Sequence, residues 1–260
     1  MFYCDTHVHS FRSFVGAPDV TLSNLSRIAE ELKINALAVT DHLMKPEDVA
    51  DLRLTGRDIR EYNSRAENSR VPILFGVEVC ETAKDGSTLL DKALIDELQF
   101  DVIIGGVHGT HMPEGATLEE IAVTQHKHHM IFMENPYIDI LVHPWWLDKQ
   151  EFERLNFDWP QDLSFVPREL TVELARASKR TNTYIEISTI SGLCNGDVSE
   201  AFRNSYEEYY RLLKDEGALF TIGTDTHKLA DMRTFESARE LIKKLQISEE
   251  RFYRPKSNIT

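Results

Sequence analysis

The sequence predicts an α/β chain that closes into a barrel of about seven βα units. Three observations predict it. Seven short, β-rich apolar runs alternate with segments of helical period. Six of those runs stop at a His, Asp or Glu, and only a closed barrel turns all its strand ends towards one mouth. An open doubly wound sheet would feed its site from two or three strands at a single switch point. The length, 260 residues, suits one barrel as a single domain over 1–260.

The predicted strands are Tyr3–His9, Asn35–Asp41, Ile73–Val79, Val102–Val107, Ile138–Val142, Thr183–Ser188 and Leu219–Gly223. The first helix begins near Thr21, with Leu22, Leu25, Ile28, Ala29 and Leu32 on one face. A second, polar and weakly patterned, spans about Asp51–Asn68. Leu90, Ala93, Leu94 and Leu98 mark a third. Others cover about Leu118–Met133, Pro167–Ser178 and Glu200–Glu216, and the last carries Phe235, Ala238, Leu241, Ile242 and Leu245. Strands that alternate with helices are parallel and joined by right-handed crossovers. The stretch Pro144–Val166, with Trp, Asp and Pro, is too long for a simple turn and is expected to form a lid or wall beside the mouth.

Hydrophobic residues make up 42% of the chain, enough for a sizeable core, and the formal net charge is -14. That balance argues against broad electrostatic binding to nucleic acid or anionic lipid. It permits an anionic substrate wherever metal ions reverse the local sign. Three cysteines without a CxxC motif predict a reducing compartment and no disulfide framework. The start Met1-Phe2-Tyr3-Cys4-Asp5 has no basic n-region and no long apolar stretch, and no transmembrane segment is read. The cytoplasm is the expected location.

The strand ends carry the chemistry. They read Asp5-Thr6-His7-Val8-His9, Thr40-Asp41-His42, Gly76-Val77-Glu78, Gly105-Gly106-Val107-His108, Leu141-Val142-His143 and Gly223-Thr224-Asp225-Thr226-His227. Residues two apart on a strand point the same way, so His7 with His9, and Asp225 with His227, can chelate one ion or feed two. Imidazole with carboxylate suits zinc, iron or manganese. So many donors suggest more than one ion, and neighbouring ions can clamp an ester around a shared hydroxide.

These motifs, in this order from Tyr3 to about Lys228, resemble the PHP (polymerase and histidinol phosphatase) family. Pro18-Asp19-Val20-Thr21-Leu22 is similar to the family's Ser-Asp-Gly-Thr-Leu-like stretch, displaced by a few residues and without its glycine. The resemblance implies a distorted, TIM-like (β/α)7 barrel with three divalent ions (zinc, manganese or iron) at the C-terminal mouth of the strands. It implies that His7, His9, Glu78 and Asp225 hold one ion, that Glu78 bridges to a second held by His108 and His143, and that Asp19, His42 and His227 hold a third. The attacking hydroxide would lie between the Glu78 and Asp225 sites.

Other residues are weighed against plainer roles. Asp19 could instead cap the helix near Thr21. Asp5 and Asp41 could orient neighbouring histidines or serve turns. His111 is a candidate general acid, against a solvated loop histidine. His126, His128 and His129 fall within a helix and are expected on its outer face. Arg12, Arg168 and Lys228 are candidates for binding phosphate, against ordinary surface cations. Trp145 or Trp146 could line the pocket. Glu186-Ile187-Ser188 faces the mouth as pocket wall, and not as a metal ligand in the resemblance.

The expected activity is metal-dependent hydrolysis of the phosphate monoester of a small metabolite, with histidinol phosphate the most specific expectation; Glu186-Ile187-Ser188-Thr189-x-Ser191-Gly192-Leu193 is similar to a stretch of those phosphatases. The alternatives are a nucleotide or oligonucleotide phosphoesterase and an amidohydrolase-like enzyme acting on C–N bonds. The missing basic stripe argues against the polynucleotide. The lack of a strand-end lysine other than Lys228 argues against the amidohydrolase.

Overall fold

The structure is a computed structural model, and it describes residues 1–65, 71–109, 115–146, 153–158, 160, 162–194 and 199–256. Seven parallel strands form the barrel: β1 Cys4–Val8, β2 Ala36–Val39, β3 Ile73–Cys80, β4 Val102–Gly106, β5 Ile140–Val142, β6 Tyr184–Ser188 and β7 Phe220–Gly223. β2 breaks at Thr40-Asp41 and resumes for two residues, His42–Leu43. The spatial order is β2-β1-β7-β6-β5-β4-β3, and β3 returns to β2 through the pair Leu37↔Ile73, which closes the ring. The helices between them are α1 Leu22–Glu31, α2 Asp48–Ser64, α3 Lys92–Leu98, α4 Leu118–Glu134, α5 Arg168–Thr181, α6 Glu200–Glu216 and α7 Phe235–Leu245.

The strands are buried on both faces, as all-parallel strands under helices must be. Leu74, Val102, Ile104, Ile140 and Val142 join Cys4, Ala36 and Ala38 in a small inner cluster, with Tyr253 at its edge. Their odd neighbours, such as Phe75, Val77 and Ile103, pack outwards with the helices in the large cluster. The lower part of the barrel is thus apolar filling, and the polar groups collect at the C-terminal ends of the strands.

Local chemistry explains the helix boundaries. Thr21 caps α1 by accepting from the Asn24 N–H, and Thr117 with Glu120 forms a reciprocal capping box on α4. Ser199 caps α6, which ends at Gly217 with φ 95°, the left-handed conformation that glycine adopts without strain. α2 starts three residues before the predicted onset and buries Leu52, Thr55, Gly56 and Ile59. Glycine stands at position 56 because Phe75 fills the space opposite: a Cβ there would stand 2.6 Å from the Phe75 ring.

Candidate metal centre

Each site residue is aimed by the backbone of its strand end. Cys4 lies in the inner cluster while Val8, of the same parity, lies in the outer one. A register shift between Asp5 and Val8 reverses the alternation and turns His7 and His9 inwards. The short strand after the break in β2 pairs His42 directly with Glu78. On β3 the inner positions run Leu74, Gly76, Glu78 and Cys80, with Cys80 opposite Gly106 of β4. Two ligand candidates sit at positive φ, His143 at 28° and Asp225 at 52°. Such conformations cost about 1–3 kcal/mol each and concentrate at functional sites.

Buried carboxylates brace this rim. Asp5 accepts the Thr224 N–H (3.0 Å) and hydroxyl (2.7 Å) and, more weakly, the His7 N–H (3.4 Å), tying β1 to the end of β7. Asp41 accepts from the Ser10 N–H and hydroxyl, both at 2.7 Å, and from the Thr55 hydroxyl at 3.0 Å. Both aspartates therefore hold backbone and hydroxyl groups; neither orients an imidazole ring. Burial raises the pKa of Asp5 to about 7.

Two carboxylates form the hubs. Glu78 Oε2 lies 2.9 Å from His42 Nδ1, 3.2 Å from His7 Nε2 and 3.5 Å from His9 Nε2. Its other oxygen, Oε1, lies 3.1 Å from His143 Nε2 and 3.3 Å from His108 Nε2. Asp225 Oδ1 lies 3.1 Å from His9 Nε2, 3.2 Å from His227 Nε2 and 3.4 Å from His7 Nε2. Four groupings result: His7 with His9 and Glu78; His7 with His143 and Asp225; His9 with Asp225 and His227; and His42 with Glu78, Cys80 and His108. Glu186 supports the centre from behind. It accepts from His7 Nδ1–H at 2.9 Å and from the His143 backbone N–H at 2.8 Å. Glu81 accepts the N–H groups of His108 and Gly109 at 2.9 and 2.6 Å.

The electrostatics are those of mutually dependent charges. Burial opposes charge on His7, but Glu78, Asp225 and Glu186 around it outweigh burial and raise its pKa well above the usual value. Burial and the neighbouring His42 push His9 down to about 3, which leaves it a neutral imidazole. Glu78 overcomes burial through His42, His7 and His108 and stays well below the ordinary carboxylate range.

The donor set fits divalent transition ions. Ligands 2.0–2.2 Å from a tetrahedral ion lie about 3.3–3.6 Å apart, close to the 2.9–3.5 Å spacings around Glu78. One carboxylate oxygen facing three ring nitrogens is better satisfied by shared cations than by three separate protons. The other ring nitrogens of His9, His108 and His143 are buried without a hydrogen-bond partner among the described residues. Gly106 leaves the room, since a Cβ there would stand 2.5 Å from Glu78 Oε1.

Eight of the nine residues predicted as ligands come together: His7, His9, His42, Glu78, His108, His143, Asp225 and His227. Asp19 does not join them. It is exposed in the loop before α1, where its carbonyl accepts from the Thr21 N–H and the Asn24 side chain; the cap of α1 is Thr21. The implied trio of Asp19, His42 and His227 is not brought together: strand pairing sets His42 beside Glu78, and His227 lies 3.2 Å from Asp225. His111 lies outside the described residues. Arg12 is engaged by Asp58 and stands over the Phe11 ring, while lining a cleft of about 150 Å³ beside His42. Arg168 opens α5 on the outside of the barrel, and Lys228 is exposed next to His227.

His126, His128 and His129 are corrected from outer-face to buried positions. Trp145 stacks on His126 and meets His129 edge-on with centroids 4.8 Å apart, while His128 Nε2 lies 2.9 Å from the Lys84 carbonyl oxygen. Trp146 stands 5.4 Å from the His143 ring and 6.1 Å from the His108 ring, so it walls the mouth while Trp145 packs beneath. Cys80, which shares the inward parity of Glu78, and the bracing by Glu186 and Glu81 are not among the roles the sequence motifs point to. The i, i+2 rule already applied to His7 and His9 would have found the cysteine.

A family model described as the PHP domain matches residues 5–246. Among curated proteins, one named "Probable phosphatase" from Thermoanaerobacter sp. (strain X514) is 26% identical over 249 residues, which cover 95% of this chain and 87% of that protein. Another "Probable phosphatase", from Shewanella piezotolerans, is 26% identical over 251 residues, covering 96% and 88%. Among solved structures, the histidinol phosphate phosphatase of Lactococcus lactis subsp. lactis, complexed with zinc, L-histidinol and phosphate, superposes with a TM-score of 0.64 at 18% identity, covering 99% of this chain and 98% of that one.

Proposed function

This chain belongs to the PHP domain family, and from that premise we propose that it is a metal-dependent phosphoesterase that hydrolyses the phosphate monoester of a small metabolite. The observation that carries the reading is the division of Glu78: one carboxylate oxygen faces His7, His9 and His42, and the other faces His108 and His143. A carboxylate so placed links two nests of imidazoles, the arrangement that holds neighbouring ions. Glu78 and Asp225 are the two shared ligands of the proposed centre, with His7, His9, His42, His108, His143 and His227 completing it. Three ions, of zinc, manganese or iron, are proposed, and Asp19 is left out of the set.

Bound divalent ions would neutralise the phosphate oxygens and lower the pKa of an attacking water. The chain's own residues do the rest. Glu186 fixes the ring of His7 so that Nε2 points at both hubs. Burial and charge keep His9 neutral and Glu78 ionised, the forms in which each can donate an electron pair. Trp146 and the cleft beside His42 border the mouth where the rest of the ester would lie.

Histidinol phosphate is the specific substrate proposed, supported by the Lactococcus likeness and by the Glu186–Leu193 stretch. The test is phosphate release by manganese-reconstituted protein from L-histidinol phosphate and from p-nitrophenyl phosphate. A kcat/KM of about 10⁴ M⁻¹s⁻¹ or more for histidinol phosphate, far above the generic ester, supports the assignment. Cleavage of the generic ester alone keeps the phosphoesterase and removes the substrate. Asp225→Ala with undiminished turnover would remove the site.

A further inference from the structure

We propose that Cys80 is a metal ligand, and that the ion held with His42, Glu78 and His108 carries one sulfur donor. This inference rests on reading the cluster as a metal centre. The four donor atoms lie within 4.8 Å of one another. Cys80 Sγ lies 3.5 Å from His42 Nδ1, and that same nitrogen lies 2.9 Å from Glu78 Oε2. A ring nitrogen with one proton can serve both only by sharing it, which weakens each bond, and the thiol's contact with the Glu78 carbonyl is a long one, 3.9 Å. A single cation between them satisfies all three, and bonds of about 2.3 Å to sulfur and 2.0 Å to nitrogen at a tetrahedral angle place the two atoms about 3.5 Å apart.

The fold holds the thiol in place. Cys80 ends β3 directly opposite Gly106, on the same inward column as Glu78, and is fully buried. The other two cysteines are elsewhere: Cys4 lies in the inner cluster at the opposite end of the barrel, and Cys194 is exposed. Coordination would form an Sγ–metal bond and release the thiol proton to solvent, with no change of oxidation state. A thiolate makes this the softest position of the centre and favours zinc or iron over manganese there.

Cobalt(II) reconstitution tests it. Thiolate-to-cobalt charge transfer gives a near-ultraviolet band that oxygen and nitrogen ligands do not. The wild-type protein and Cys194→Ser are expected to show the band; Cys80→Ser is expected to lose it while keeping the visible cobalt bands. X-ray absorption of the zinc-loaded wild type, which needs no variant to fold, is expected to show a sulfur scatterer at about 2.3 Å. Cobalt uptake without the band, its persistence in Cys80→Ser, or a shell of light atoms alone would overturn the inference. If metal content and phosphate release survive such a result, the centre stands without its sulfur. Protein that takes up no ion at all overturns the centre and the inference together.

Discussion

Two adjacent glycines on β4 face opposite sides of the barrel wall, and methylating each in turn separates the site from the scaffold. On Gly106 a Cβ would stand 2.5 Å from Glu78 Oε1, 2.8 Å from His143 Cε1 and 2.9 Å from His108 Cε1. Ordinary contact begins at 3.4 Å, so the Glu78 oxygen would have to retreat by about 0.9 Å. Glu78 cannot yield freely, because its other oxygen is committed to His7, His9 and His42. A misplacement near 1 Å costs roughly 10²-fold in rate, so Gly106→Ala should lower kcat/KM by about that factor. On Gly105 the nearest atoms a Cβ would meet belong to Phe132 and Ile138, at 3.1–3.2 Å. Gly105→Ala should therefore cost about 1 kcal/mol of packing, or roughly 2–4 °C in Tm for a chain of this size, with turnover retained. The assay is phosphate release by manganese-loaded protein, beside a thermal melt and a metal count. Full activity in Gly106→Ala, or equal loss in both variants, would refute the argument.

Three further outcomes are expected. Glu186→Gln presents an amide where His7 and His143 now meet carboxylate oxygens, and should weaken metal binding about 10–100-fold without unfolding the chain; chelator competition checks it, and an unchanged affinity counts against the bracing role. Removing the ions with EDTA should abolish phosphate release and lower Tm, because a ligand at 100 times its Kd adds about 2.7 kcal/mol to the folded state; recovery of both on adding metal completes the test, and a melt indifferent to EDTA contradicts it. His129→Leu should leave activity intact and Tm level or slightly higher, since both ring nitrogens of His129 are buried without a hydrogen bond among the described residues and an unpaired buried polar group costs about 1–3 kcal/mol. A clear fall in Tm would mean that the imidazole has a partner.

Most of the fold was legible because its signals are local. Each strand is a short apolar run, α1, α6 and α7 show wide apolar stripes, and α1 and α6 start at the capping residues Thr21 and Ser199. α2 was harder to read because its inward face, Leu52, Thr55, Gly56 and Ile59, is interrupted at its centre by a threonine and a glycine. Gly56 answers to Phe75 across the interface, a partner that no window along the chain contains. The histidines of α4 misled for the same reason. Three polar residues within four positions look like a solvated face, but the return of the chain after β5 brings Trp145 against His126 and His129, and the segment at Lys84 meets His128.

The site divides in the same way. His7, His9, His42, Glu78, His108, His143, Asp225 and His227 were legible because a strand end is both a sequence signal and a position at the mouth. Their assignment to particular ions was not, because it depends on register. The pair His42↔Glu78 sets the ring of His42 beside Glu78 and Cys80, whereas the family resemblance implied a partnership with Asp19 and His227. The shift within β1 is just as decisive. Unbroken alternation from Cys4 would turn His7 and His9 towards the helices, away from both hubs. A one-residue irregularity, invisible in the pattern of apolar residues, converts a strand that fills the barrel at one end into one that supplies two imidazoles at the other. The positive φ angles of His143 and Asp225 do similar work at β5 and β7, where the chain leaves ordinary strand geometry to point a donor inwards. The centre is thus built less by unusual residues than by three local departures from regular strands, each held by buried hydrogen bonds to Asp5, Asp41 or Glu186.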